Sequence, residues 1–134
     1  MTDLTLTMPM TEDTAAGAVT GRVAILLRAE GAAAFAAALV AYQAMHGSWL
    51  VFALLFLVPD LSMLGYLAGR RIGAASYNLG HTYLSPAALA LAALVLHAPW
   101  LFGPALIWAA HIGFDRLLGY GLKYSAGFKV THLA

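Results

Sequence analysis

The sequence contains no cysteine. Disulfides, thiolate metal ligands and a cysteine nucleophile are therefore excluded, and the redox compartment stays open. Charge is nearly as scarce: 10% of the residues are Asp, Glu, Lys or Arg, where soluble domains carry about a quarter. The formal net charge is +1, which offers no basic face for nucleic acid, so no nucleic-acid partner is expected. The beginning of the chain lacks the basic-then-apolar order of a secretory signal. Residues 1–20 are instead Thr-rich, with Asp3, Glu12 and Asp13, and read as a flexible polar tail. No internal repeat is visible, and no low-complexity tract beyond the alanines.

What is present is apolar. Hydrophobic residues make up 62% of the 134, and mean hydropathy is +0.80. That is the composition of an integral membrane protein, and the length suits one domain. Four apolar spans cover about residues 22–45, 49–69, 73–96 and 100–122, each close to the ~20 residues that cross a bilayer as a helix. Their connections are short, which forces antiparallel neighbours. The expected fold is an all-α, up-down four-transmembrane-helix bundle over residues 21–124, followed by a short cytoplasmic tail at 125–134.

Basic residues set the orientation. Arg22, Arg28, Arg70, Arg71, Lys123 and Lys129 all fall at one end of such a bundle. The positive-inside rule then places both termini in the cytoplasm. Trp49 and Trp100 fall at the other interface, as an aromatic belt requires. Gly65 and Gly69 form a G-x-x-x-G that allows close helix packing. Pro59 and Pro86 lie inside spans and are expected to kink them, freeing the carbonyls of Leu55 and Thr82.

Ionisable residues inside the spans are few and fall at one depth. At about 1.5 Å of rise per residue, Glu30, Asp60, His81, His111 and Asp115 all sit roughly 10–16 Å from the basic end. His111 and Asp115 are four apart and share a helix face. Tyr77, Asn78, His81 and Ser85 recur at spacings of three and four, a polar stripe that must face protein or trapped water. An intramembrane ionisable cluster is a functional-site hypothesis by default.

Carboxylates and imidazoles together form a ligand set for one divalent ion, zinc, manganese or iron. His81, His111 and Asp115 are the expected metal ligands. Tyr77, Asn78 and Ser85 would orient His81 from behind. Glu30 or Asp60 would act as general base in a metal-dependent hydrolase of a lipid or amphipathic substrate. The Glu-x-x-His pairs of di-iron bundles are missing. Three other readings use the same residues. Arg28 and Arg116 would pair with the acids in a structural charge network; the polar layer would conduct protons or cations in a homo-oligomer; or the chain would be an accessory subunit of a larger membrane complex. His46 and His97 fall in outer loops and His132 in the tail. All three are expected in solvent, unless the tail folds back beneath the cytoplasmic mouth.

Particular stretches also point to a family. They are R-A-E-G at 28–31, P-D-L-S-M-L-G-Y at 59–66, Y-N-L-G-H-T-Y at 77–83, A-H-I-G-F-D-R-L-L-G-Y-G-L-K-Y at 110–124 and T-H-L at 131–133. With these the chain resembles a family of small bacterial integral membrane proteins catalogued as domain of unknown function 4260. The resemblance runs from the first span to the C-terminus. It implies a four-helix protein of a bacterial inner (cytoplasmic) membrane, and it carries over no activity.

Overall fold

The first apolar run is alanine-rich and free of proline, and it forms one helix, α1 (Gly21–Ala44). It stops where His46 adopts a left-handed φ of 56°. A computed structural model of the protein describes residues 18–123 and 131–133. Among these, secondary structure is helical apart from one isolated β-bridge.

The second run does not stay α-helical. Helix α2 (Trp49–Leu55) starts at Ser48, whose hydroxyl accepts from the Val51 N–H. It gives way to a 3₁₀ helix, Val58–Ala68, with Pro59 in the first turn. Residues three apart eclipse in a 3₁₀ helix, so the segment has three columns. Val58, Leu61, Leu64 and Leu67 form an exposed apolar column. Pro59, Ser62 and Gly65 form a small-residue column, and Asp60, Met63 and Tyr66 the third. Pro59 does disturb the span as expected, by changing the helix type rather than by a simple kink.

The third run departs further from expectation. It is not one helix over 73–96 but two, α3 (Arg70–His81) and α4 (Leu84–Val95). They are separated at Thr82, which is extended with φ −93° and ψ 141°. A broken helix leaves its last carbonyls without partners. Here side chains supply them. The Trp108 indole donates to the Gly80 carbonyl at 2.6 Å. The Arg116 guanidinium donates to that of His81 at 2.8 Å. The Ser85 hydroxyl donates to that of Leu79. The Thr82 carbonyl, expected to be freed by Pro86, takes the Ser85 N–H at 3.2 Å. The last run is a short 3₁₀ turn, Pro99–Leu101, leading into α5 (Phe102–Leu118), which ends at Gly119 with φ 94°.

Contacts define antiparallel pairs. Helix α1 lies against α5: Phe35 packs on Phe114, Arg28 donates to the Leu117 carbonyl, and Gly31 faces Gly113. The two backbones touch there. A Cβ at position 113 would come within 2.7 Å of the Phe35 nitrogen and 2.8 Å of the Gly31 carbonyl oxygen. The 3₁₀ helix pairs with α3 in the same way, with Ser62 against Gly80 and Tyr66 against Gly73. Two helical stretches, Gly21–Ala44 and Trp49–Ala68, are long and apolar enough to cross a membrane.

The C-terminal end returns to the bundle. Lys123 bridges Thr131, and Asn78 grips Lys123 at both its N–H (2.6 Å) and its carbonyl (2.7 Å). His132 is held between backbones: its carbonyl accepts from Val19, its N–H donates to Leu122, and its Nδ1 accepts from the Leu122 N–H. The tail thus folds back, and His132 is half-buried rather than solvated. Residues 1–17, most of the expected N-terminal tail, lie outside the described residues, as do 124–130 and the last residue.

Two outcomes follow from this packing. Gly113→Ala is expected to cost about 1–3 kcal/mol, because backbone atoms on α1 cannot yield to the methyl. Thermal unfolding in detergent checks it, and an unchanged midpoint would contradict the α1–α5 contact. Burial, and then the nearby Arg116 charge, hold His132 below its ordinary pKa of 6.5. A depressed histidine contributes stability that is complete above the unfolded value and is lost as pH falls below it. Hydrogen exchange at Leu122 and His132, corrected for intrinsic rates, should accelerate below about pH 6.5 while α5 stays protected.

Candidate metal centre

Helix α5 supplies two of the site's side chains through simple periodicity: His111 and Asp115 are one turn apart on its inner face. The other two come from the irregular segments. His81 is the last residue of α3, and Asp60 lies in the first turn of the 3₁₀ helix. The antiparallel pairing of those two segments brings Asp60 opposite His81.

His81 is fixed from three sides and is fully buried. Its ring stacks on Tyr77, with centroids 3.8 Å apart and planes 9° from parallel. Its Nδ1 lies 2.9 Å from the Tyr77 carbonyl oxygen. A carbonyl only accepts, so Nδ1 carries a proton and Nε2 is turned toward the centre. That atom lies 3.3 Å from Asp60 Oδ1 and 3.4 Å from Asp115 Oδ2. His111 Nε2 stands 3.3 Å and 3.5 Å from the same two oxygens. The two imidazole nitrogens are 3.2 Å apart.

Five of the six separations among these four atoms therefore lie between 3.2 and 3.5 Å. Donors about 2.0–2.1 Å from a central ion stand about 3.3 Å apart when tetrahedral. Octahedral neighbours at about 2.1 Å would be about 3.0 Å apart. All four ligand atoms lie within 4.8 Å of one another. Two imidazoles and two carboxylates, with these separations near a tetrahedral edge, form a donor set that zinc could accept.

Charge leads to the same conclusion. Two carboxylate oxygens and two ring nitrogens converge, and neutral imidazoles could place at most one N–H each in the gap. His81 in its neutral form places none, having its proton on Nδ1. A single His111 N–H cannot satisfy three acceptors lying at different angles. A metal cation at the centre could satisfy the four together, and an imidazolium on either histidine is the other source of positive charge there.

The far side of His111 is apolar. The Phe56 ring meets it edge-on at 5.2 Å, and Phe35, Phe52 and Phe114 continue the aromatic wall. His111 Nδ1 is buried with no hydrogen-bond partner among the described residues. Its orientation is therefore set by packing, whereas that of His81 is set by a hydrogen bond.

The sequence-derived candidates divide accordingly. His81, His111, Asp115 and Asp60 come together. Glu30 lies outside that group, exposed on α1, lining a cleft with Tyr83, Arg116 and His132. Tyr77 buttresses His81. The side-chain amide of Asn78 bonds to Lys123, and the Ser85 hydroxyl caps Leu79 across the helix break. His46 and His97 are exposed turn residues with left-handed φ. Two supporting residues, Trp108 and Arg116, gain their roles from the break after His81. The sequence hint was Thr82–Tyr83 followed by Pro86, a poor run for continuing a helix.

The fold and the site define a class: an all-helical protein with a buried two-histidine, two-aspartate group able to hold a metal ion. The chain belongs to the family described as Domain of unknown function (DUF4260), whose model matches residues 24–134 and so takes in all four candidate ligands. No curated protein and no solved structure matches it.

Zinc added to metal-stripped protein is expected to raise the unfolding midpoint, with about 2.7 kcal/mol gained at a hundred times the dissociation constant. His111→Ala should abolish both the shift and the bound metal in elemental analysis. Equal metal content in wild type and variant would remove the site.

Proposed function

We propose that the protein is an integral membrane metalloenzyme whose His81, His111 and Asp115 hold one divalent ion, zinc by preference. Its chemistry would be hydrolysis of an ester or phosphoester bond in a lipid or other amphipathic substrate. The observation that carries this reading is an asymmetry within the tetrahedron. The side chains of His81, His111 and Asp115 are 0%, 2% and 13% exposed, whereas Asp60 is 34% exposed. Three buried protein ligands with an accessible fourth position is the arrangement of catalytic zinc sites.

The ion would supply Lewis acidity and favour deprotonation of water at neutral pH. The other roles belong to the chain's own groups. Asp60 is the accessible carboxylate, able to complete the ion's shell at rest or to accept a proton from the attacking water. Its place in a 3₁₀ segment supports such movement, since these helices hold weaker hydrogen bonds. His81 keeps its Nδ1–H on the Tyr77 carbonyl, which presents Nε2 to the ion. The aromatic wall around His111 excludes water from that side.

Membrane placement is supported by what the surface exposes. Leu67, Leu84 and Trp100 are 88%, 77% and 73% accessible, within a surface rich in exposed Leu, Val and Ile. Water-soluble monomers seldom expose continuous apolar area on that scale. Four spans in up-down order, with both termini cytoplasmic in a bacterial inner membrane, are the arrangement proposed. The antiparallel contacts and the location of the arginines and Lys123 support it.

A second reading rests on the common spacing of all four donors. Four protein ligands close a tetrahedral ion and make it structural, as in an accessory subunit of a membrane complex. Asp60→Asn separates the two. In a hydrolase this variant retains the metal and loses roughly 10²–10⁴-fold in turnover on lipid ester or phosphoester substrates. In a structural site the wild type shows no turnover, and Asp60→Asn lowers the unfolding midpoint of the metal-loaded protein.

A further inference from the structure

Arg116 is the most deeply buried cation of the spans, at 7% exposure. Its guanidinium donates to two carbonyls, those of Tyr120 and His81, both at 2.8 Å. Those bonds orient it, and the adjacent Asp115 carboxylate acts on it through its field without reaching ion-pair distance. Among the described residues, no carboxylate lies within ion-pair distance of it. A buried cation is costly unless a negative group balances it.

The guanidinium lines a cleft of about 330 Å³ between α1, α5, the break after α3 and the returning C-terminal end. Two further donors line the same cleft. One is the Tyr83 hydroxyl. His132 accepts at Nδ1 from Leu122, so in its neutral form its Nε2 bears the proton. One acid shares the cleft: Glu30, exposed on α1. The phenol of Tyr83 stands within the fields of both Arg116 and Glu30. Leu27 and Ala34 supply apolar wall along α1. Guanidinium, phenol and imidazole N–H suit a phosphate, the carboxylate suits an ammonium, and the apolar wall suits an acyl chain.

We propose that this cleft binds a zwitterionic phospholipid headgroup, a phosphodiester bearing a primary ammonium. The phosphate would lie at Arg116, Tyr83 and His132 and the ammonium at Glu30. The proposal rests on the membrane placement proposed above, but on neither the metal nor hydrolysis. It gives Arg116 a counter-charge at ion-pair distance, where no described carboxylate lies. It also explains an acid in the same cleft, which a purely anionic ligand would disfavour.

Native mass spectrometry of the metal-loaded, detergent-solubilised protein tests this, with phosphatidylethanolamine and phosphatidylglycerol in competition. Wild type is expected to retain the ethanolamine lipid about tenfold in preference, equivalent to about 1.4 kcal/mol. Glu30→Gln, a surface change, should reduce that preference to about twofold or less, with metal content and unfolding midpoint unchanged. Arg116→Gln should lose both lipids. Because Arg116 also caps α3 and that variant risks unfolding, Glu30→Gln and Tyr83→Phe carry the test. Tyr83→Phe is expected to weaken retention of both lipids alike. Soluble phosphoethanolamine should compete with the lipid, and inorganic phosphate should compete less well. Equal retention of the two lipids by wild type would overturn the proposal. So would an undiminished preference in Glu30→Gln, or equal competition by inorganic phosphate. Protein that is soluble without detergent and retains no lipid at all would sink the membrane reading itself, and metal analysis of the same samples reports separately on the metal centre.

Discussion

Two carboxylate oxygens and two imidazole nitrogens held 3.2–3.5 Å from one another across the acid–histidine and histidine–histidine contacts need positive charge among them, from a metal ion or an imidazolium. They belong to Asp60, Asp115, His81 and His111, which come from three different segments. Around any charge at the centre, the low local dielectric strengthens attraction. Without it, the same dielectric makes the mutual repulsion of the acids severe. A cation held at that point would tie together the 3₁₀ segment, α3 and α5, the three segments that supply the four side chains.

The backbone is irregular where ligands enter. A continuous α-helix through Pro59 would carry Asp60 along a 3.6-residue spiral, whereas the 3₁₀ turn stacks it above Met63 and Tyr66. Ending α3 at His81 gives its ring a terminal position, bonded back to the Tyr77 carbonyl. The cost is a set of freed carbonyls, offset by Trp108, Arg116 and Ser85. Two of those caps come from α5, the helix that carries His111 and Asp115. The same helix therefore supplies ligands and holds open the break that positions a third.

Much of the site was legible in the sequence because depth in an apolar span can be counted. The four-residue spacing of His111 and Asp115 gave a shared face, and depth alone brought Asp60 and His81 to the same level. Depth says nothing about direction around the bundle axis, and Glu30 shows the limit. It lies at the right level but on the outer side of α1, in a different cleft. The third span was read as continuous because its polar stripe keeps a helical spacing through Ser85. The break after His81 depends on caps that are distant in sequence, at Trp108 and Arg116, which periodicity cannot reveal. The 3₁₀ segment was expected only as part of a proline-kinked helical span, although its apolar residues carry the shorter period. Val58, Leu61, Leu64 and Leu67 repeat every three residues, a period that a regular α-helix would spread around its circumference.

Arg116 joins the two polar regions. Its guanidinium holds the carbonyl of His81, whose ring faces the metal centre, while the same group lines the cleft beside Glu30. An anion drawn to the guanidinium would alter the hydrogen bond that fixes the end of α3. A change in the position of His81 would, by reciprocity, alter the cleft's affinity. The path is short and physical: ligand, guanidinium, carbonyl, imidazole, ion. It would couple the cleft and the buried centre through one side chain. Arg116 is thus tied both to the end of α3 and to the cleft, beyond its place in the packing of α1 against α5.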